Sequence, residues 1–425
     1  MNWLRIKKRN MSESLVMLIY ILPFFFAFFI ELLNGPTYIK YMIDISWCVL
    51  FLTMSIRWRL LKRIPSKKII IWISLFLVYC ACSYFFNYQS IFYFLWGIRN
   101  NFRFYVFFLA CIIFLNKDDI EGCMRIIDIA FYVNSIIVIM QFGFMGYRRD
   151  YLGGIFGTQH GCNAYLNIFL IIVLAKSLLY YVHKKEMLQN LLIKVALIIM
   201  TAAFAELKFF FVEFAVVILL MILIIKFSIR KLIILMGACV GLYLGVQILL
   251  IVFPEFESIM TVEGLWESAT SEHGYTSAGD MNRLTALSMS SEMFLRTTEE
   301  KLFGLGLGNC DYAEAYAFLT SPFYIENGYL HYNWLSTAFM FLETGTVGLC
   351  FFIGFYLLIF REVHKREKKG ECERVYCHLA KIMAIMCIII AIYNCSLRME
   401  SAYMLYMVMS VPFLNNEMRK GYLID

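Results

Sequence analysis

Charge is what this sequence has little of. Asp, Glu, Lys and Arg make up 16% of its 425 residues, against 61% apolar side chains and a mean hydropathy of +0.70. That excludes an ordinary soluble protein, whose apolar share is nearer one half, and leaves a polytopic membrane protein. Paired cysteine motifs are missing as well. Of the 13 cysteines, Cys48, Cys80, Cys82, Cys111, Cys239, Cys350 and Cys387 lie inside apolar runs, and no pair is spaced within a soluble loop. They read as small buried side chains rather than disulfides or metal ligands, so neither a metal nor a cofactor is expected. The net charge of +7 does not point to nucleic acid, because the basic residues lie between apolar runs instead of on one soluble face. The sequence also has no fixed-period repeat and no low-complexity segment.

What is there is a series of long apolar segments. A bilayer core asks for roughly 20 apolar residues per helix. Segments near that length fall at 13–33, 38–56, 69–87, 102–116, 124–145, 161–182, 189–206, 209–226, 230–253, 333–360, 378–397 and 400–415. The expected fold is therefore an all-α polytopic membrane protein with about twelve transmembrane helices. Arg99, Asn100, Asn101 and Arg103 interrupt the apolar pattern of 91–115, so the fourth helix is expected to begin late or to be broken. The opening MNWLRIKKRNMSE is basic but leads into a long apolar run with no small-residue cleavage site. It reads as the flank of an uncleaved first helix, with the amino terminus in the cytoplasm.

Alternate connections carry the basic residues, as the positive-inside rule requires. The stretches 57–68, 116–125, 182–187, 226–231 and 361–374, with Arg419 and Lys420 in the tail, would be cytoplasmic. Ten of the 38 basic residues fall on the other side: Lys40, Arg99, Arg103, Arg148, Arg149, Lys208, Arg283, Arg296, Lys301 and Arg398. Insertion disfavours cations there, which makes these ten of interest. An even helix count with both ends inside places 254–332 outside the cytoplasmic membrane. The expected organisation is helices one to nine over 1–253, an extracytoplasmic lobe at 254–332 between helices nine and ten, and the last three helices with a cytoplasmic tail over 333–425. Within the lobe, 304–309 and 321–324 read as turns and 281–301 has helical apolar spacing.

Three passages together carry a family resemblance: GGIFGTQHGCNAYLNIFL at 153–170, NRLTALSMSSEMFLRTTEEKLFGLGLGN at 282–309 and GYLHYNWLSTAFMFLETGTVGL at 328–349. In order and spacing they resemble the superfamily of bacterial O-antigen ligases and O-antigen or capsular polysaccharide polymerases. Two details differ from the usual pattern: Tyr332 separates His331 from Asn333, and Lys208 stands where an arginine is common. The resemblance implies a metal-independent membrane glycosyltransferase without cofactor. Its substrate would be a glycan linked through pyrophosphate to a polyprenol in the membrane lipid, and a chain-length regulator and a flippase would be its partners.

Such a transfer needs cations to hold the pyrophosphate and stabilise charge on the departing phosphate. It also needs a base for the attacking hydroxyl. The resemblance assigns the base to His331, with His160 as rival and Asn333 orienting, and phosphate roles to Arg283 and Arg296. The alternative for the two arginines is pairing with Glu292, Glu299 or Glu300. Lys208 is singled out physically, since charge at membrane depth is costly unless used; its alternative is a structural ion pair with Glu206. Arg99 and Arg103, four apart, would share a helix face and contact lipid phosphate, or snorkel at the interface. Arg148 and Arg149 would attract an anionic donor or simply be solvated. The glycines at 153, 154, 157 and 161 would permit close backbone approach, with Gln159, His160 and Asn163 contacting sugar hydroxyls. The alternative is an ordinary helix-entry turn, and without a Walker lysine the loop is no nucleotide site. Glu343 is expected to pair inside the bundle with Arg398 or Lys208.

A polymerase joining lipid-linked repeat units is the leading reading. A ligase moving finished glycan to another acceptor would use the same motifs. A flippase or transporter belongs to a different class, which generally shows internal repeats and interrupted helices in matching halves.

Overall fold

The computed structural model describes residues 10–31, 33–226, 228–254, 257, 275–276, 279–313 and 316–414. The helices are α1 (Met11–Ile21), α2 (Phe26–Glu31), α3 (Tyr41–Ile56), α4 (Lys67–Phe86), α5 (Ile91–Phe114), α6 (Lys117–Gly143), α7 (Asn163–Val182), α8 (Leu188–Phe204), α9 (Lys208–Ile224), α10 (Ile229–Val252), α11 (Ala286–Met293), α12 (Thr298–Phe303), α13 (Pro322–Asn327), α14 (Ser336–Lys369), α15 (Arg374–Tyr393) and α16 (Ala402–Ser410). Among the described residues there is no strand, only an isolated bridge pairing Tyr275 with Met281. Among the described residues eight helices are long and apolar enough to cross a membrane: α3 to α7, α10, α14 and α15. The apolar helices α1, α8, α9 and α16 are shorter. The expected tail residues 419–420 and the basic start at 1–9 lie outside the described residues, as does most of 255–274.

Local chemistry sets the boundaries, and at several points it corrects the sequence expectation. Pro23 lacks an N–H, so the first segment stops at Ile21, passes through a 3-10 turn and resumes at Phe26. The fourth segment neither begins late nor breaks: α5 runs from Ile91, capped by the Ser90 hydroxyl, straight through Arg99 and Arg103. Its polar residues are tolerated because each finds a partner, Arg99 on Asp44, Asn101 on the Gly97 carbonyl and Arg103 on Glu400. The stretch 281–301 divides in two, because a reciprocal capping box of Thr297 and Glu300 starts a new helix. Likewise 321–324 is no free turn; Ser321 caps α13 and Pro322 occupies its first position.

The connections sort onto two ends of the bundle. At one end the Thr158 hydroxyl reaches Glu31 at 3.1 Å, Tyr165 reaches Glu400 at 2.7 Å, and Ser336 reaches the Asn394 carbonyl at 2.8 Å. At the other, Ser66 meets Glu362 at 2.9 Å, Lys117 and Lys185 both meet Glu373 at 2.8 Å, and Arg366 donates to the Pro412 carbonyl. The described part of 254–332 lies at the first end, together with the ten cations set apart by the sequence.

The described part of this stretch is not a freestanding layer. Residues 302–311 wedge between α4, α5 and α14, where Gln89 donates to the Leu307 carbonyl and Ser83 to that of Phe303. The wedge fits because α14 breaks at Gly345, which has φ 62° and ψ −169°. Carbonyls around the break are taken up by incoming groups: Leu305 N–H on Leu342, Gly306 N–H on Glu343 and the Tyr79 hydroxyl on Thr344. Gly345 sits in a backbone region essentially closed to other residues, and an added Cβ would lie 2.3 Å from the Leu302 carbonyl oxygen. Gly345→Ala should therefore cost at least about 2 kcal/mol. Thermal unfolding in detergent checks this, and an unchanged midpoint would show that the wedge is not held by this break.

Candidate functional site

Two polar clusters occupy the lobe end. The first is built around α5, whose buried polar face meets the end of the bundle. Arg99 makes a two-pronged contact with Asp44, at 2.9 and 2.6 Å, and donates to the Asn100 side chain. Asn100 in turn donates to Asp311 at 2.6 Å, and Asp311 faces Arg398 at 3.5 Å. Four residues along α5, Arg103 pairs with Glu400 at 3.0 Å and donates to the Arg398 carbonyl, while Tyr165 binds the second Glu400 oxygen. The cations Arg99, Arg103 and Arg398 are thus matched by Asp44, Asp311 and Glu400. Arg103 is only 3% exposed, so it does not snorkel. Arg398 engages Asp311 rather than Glu343, and Glu343 is instead buried under the 304–310 loop, accepting from the Cys310 N–H. The expected pairing of Glu343 with Arg398 or Lys208 is accordingly corrected: the wedge supplies backbone donors before either cation reaches it.

The second cluster centres on His331. Its φ is 52°, the left-handed region, so the chain turns sharply as the lobe enters α14. The turn directs Nδ1 onto Asp280 at 2.5 Å and stacks the imidazole on Trp334, centroids 3.8 Å apart and planes 14° from parallel. A carboxylate oxygen accepts, so this contact suits the tautomer with its proton on Nδ1, which leaves the Nε2 lone pair free. His160 lies beyond Trp334, at 6.1 Å between centroids, and faces Asp150 at 3.6 Å. Asn163 donates to the same Asp150 at 2.7 Å. Next to these, Glu206 receives both Arg149 and Lys208, each at 3.1 Å. The structural pair given as the alternative for Lys208 is therefore present.

Arg283 reaches this cluster through the backbone. Met281 N–H donates to the Leu330 carbonyl, which sets the two lobe segments side by side. The Arg283 Nε donates to the Tyr393 carbonyl at 3.2 Å, its guanidinium lies 4.6 Å over the Tyr393 ring, and that ring stacks on Phe209, the neighbour of Lys208. Arg283 is exposed, and its terminal nitrogens donate to no described residue. Of the cations gathered here it is the one without a carboxylate partner among the described residues, and so it has donors to offer an anion.

The structure thus brings His331, His160, Asn163, Arg149, Lys208 and Arg283 together, with Asn333 joining the two clusters by its carbonyl, which accepts from Arg398 at 3.4 Å. Others stand apart. Arg148 lies over the Phe142 ring and donates to backbone carbonyls, and Arg296 is exposed with its main-chain N–H on Glu300. Gly157, with φ 100°, does provide close approach, but the group that approaches is Glu31: an added Cβ would lie 2.5 Å from its carboxylate. Among the described residues it is Asp280 that hydrogen-bonds the His331 imidazole, the place expected of Asn333, whose main-chain carbonyl accepts from Arg398 instead. Sequence reasoning missed Asp280, Trp334 and Asp150. Asp280 opens the polar phrase that contains Arg283, which was its one available signal. No family model matches this chain, and no curated protein is significantly similar to it.

Proposed function

We propose that this chain is a membrane glycosyltransferase of the polysaccharide-polymerase type, which transfers a polyprenyl-pyrophosphate-linked glycan onto another lipid-linked repeat unit at the outer face of the cytoplasmic membrane. The observation that carries the reading is the Asp280–His331 pair, with Arg283 on the segment that Met281 joins to Leu330 and no carboxylate partner for it among the described residues. The base would be His331 Nε2, which takes the proton of the acceptor hydroxyl as that oxygen attacks the anomeric carbon. The bond from that carbon to the pyrophosphate oxygen breaks, and polyprenyl pyrophosphate leaves with the bonding pair. Arg283 would stabilise the developing charge, supported by the Arg149–Glu206–Lys208 group. Trp334 is 41% exposed, and an exposed indole suits a sugar ring, which packs its apolar face on an aromatic. Twelve crossings, both termini in the cytoplasm and the lobe outside belong to the same reading. It draws on the two-ended sorting of connections and on the basic residues at the end opposite the site.

The test is the lipid-linked product pattern in cells lacking this chain. Accumulation of single repeat units supports a polymerase. Accumulated long chains indicate a ligase instead, and loss of outward-facing intermediates a flippase. Arg283→Ala is expected to slow chain extension by about tenfold to a hundredfold, read as shortened glycan at unchanged protein level. Full-length glycan at the normal rate would remove Arg283 from the site.

A further inference from the structure

A second binding site is suggested at the end of the bundle opposite His331. There the α7–α8 connection and the start of α10 enclose a concavity of about 410 Å³, with Lys184, Lys185, Glu186 and Arg230 as its polar lining and Tyr181, Met187 and Leu188 as its apolar wall. That is within the roughly 300–1,000 Å³ of small-molecule sites. The charges in it are not balanced. Lys185 is neutralised by Glu373 at 2.8 Å, and Glu186 is occupied on one oxygen by Lys194 at 2.7 Å. Lys184 and Arg230 have no acidic partner among the described residues; Arg230 donates to the Tyr181 carbonyl at 2.7 Å and keeps its other donors. Glu186 Oε2, on a side chain 7% exposed, has no hydrogen-bond partner among the described residues. The site therefore offers two uncompensated cations and one buried acceptor.

We propose that this concavity binds the headgroup of an anionic phospholipid, a phosphate that also carries hydroxyl donors, as phosphoglycerol does. Lys184 and Arg230 take the phosphate, and Glu186 Oε2 accepts from a headgroup hydroxyl. A lipid fits better than a soluble phosphate because exposed apolar residues flank the mouth. Leu192 and Ile193 on α8, with Ile229 and Ile233 on α10, provide a surface along which acyl chains can lie.

The full-length protein, reconstituted in mixed phosphatidylglycerol and phosphatidylcholine bilayers and released for native mass spectrometry, should retain phosphatidylglycerol in preference. Lys184→Ala and Arg230→Ala should each lower that retention about fivefold. Arg361→Ala, which removes a charge at the same end outside the concavity, should not. Arg230→Lys should keep most of the retention, which separates lost binding from failed folding. Equal retention of the two lipids, or an equal loss with Arg361→Ala, would overturn the site. Phosphatidic acid held as tightly as phosphatidylglycerol would overturn the role of Glu186. Displacement by soluble glycerol phosphate at matched concentration would overturn the choice of a lipid.

Discussion

His331→Ala is expected to lower the rate of chain extension by at least about a hundredfold, with the protein still inserted at its normal level. The magnitude follows from what a positioned base contributes, about 10²–10⁴. The retained level follows from the side chain's place: it is partly exposed, and its contacts are Asp280 and one face of Trp334 rather than the apolar core. Asp280→Asn separates the positioning role from bulk. Asparagine keeps the shape but can turn its amide toward Nδ1, which would move the ring proton to Nε2 and occupy the lone pair the reaction needs. The loss should be about tenfold or more and should change the pH profile of extension, whereas a merely structural Asp280 would leave that profile in place. The measurement is transfer between lipid-linked repeat units by purified protein, read as product length against time. If His331→Ala extends chains at the parental rate, the base is elsewhere and His160, across Trp334, becomes the residue to test.

The second large effect concerns stability. Arg103 on α5 is only 3% exposed, and a buried charge is tolerated only when paired. Its partner is Glu400, whose other oxygen takes the Tyr165 hydroxyl. Arg103→Ala leaves that carboxylate facing a buried gap and should cost about 3–5 kcal/mol. Replacing both partners with apolar residues of similar volume, Arg103→Met with Glu400→Leu, should recover most of the loss, because the desolvation of both ions is then avoided. Thermal unfolding in one detergent measures the parent and both variants. A single variant as stable as the parent, or a double variant no better than Arg103→Ala, would show that the pair does not hold the lobe end together.

The arginines and acids of the first cluster illustrate what was readable. Arg99, Arg103 and Arg398 were conspicuous in the sequence as cations on a disfavoured side. Their partners were not, since Asp44, Asp311 and Glu400 look like ordinary acidic residues in separate segments. Asp311 reaches Asn100 and Arg398 through the wedge of 302–311, and that depends on glycines at 304, 306, 308 and 345 whose backbone angles no composition reveals. The glycine-led loop at 153–161 shows the converse. Its close-approach geometry was anticipated, yet the carboxylate that uses it belongs to this chain, Glu31. Lys208 was expected either to serve phosphate or to pair with Glu206, and the pair is there.

The sequence by itself determined that this is a helical chain with spans suited to a membrane, roughly where most of them lie, and on which alternate connections its basic residues fall. Those are properties of consecutive residues: whether a run of some twenty side chains prefers lipid to water depends on nothing outside the run. Only the tertiary structure decided that α5 continues through its arginines, that Asp280 rather than Asn333 holds His331, and that Arg283 meets the Tyr393 carbonyl and ring rather than a carboxylate among the described residues. A buried charge or a hydrogen-bonded imidazole is stable only with a partner in place, and the partner is chosen by which distant segments meet.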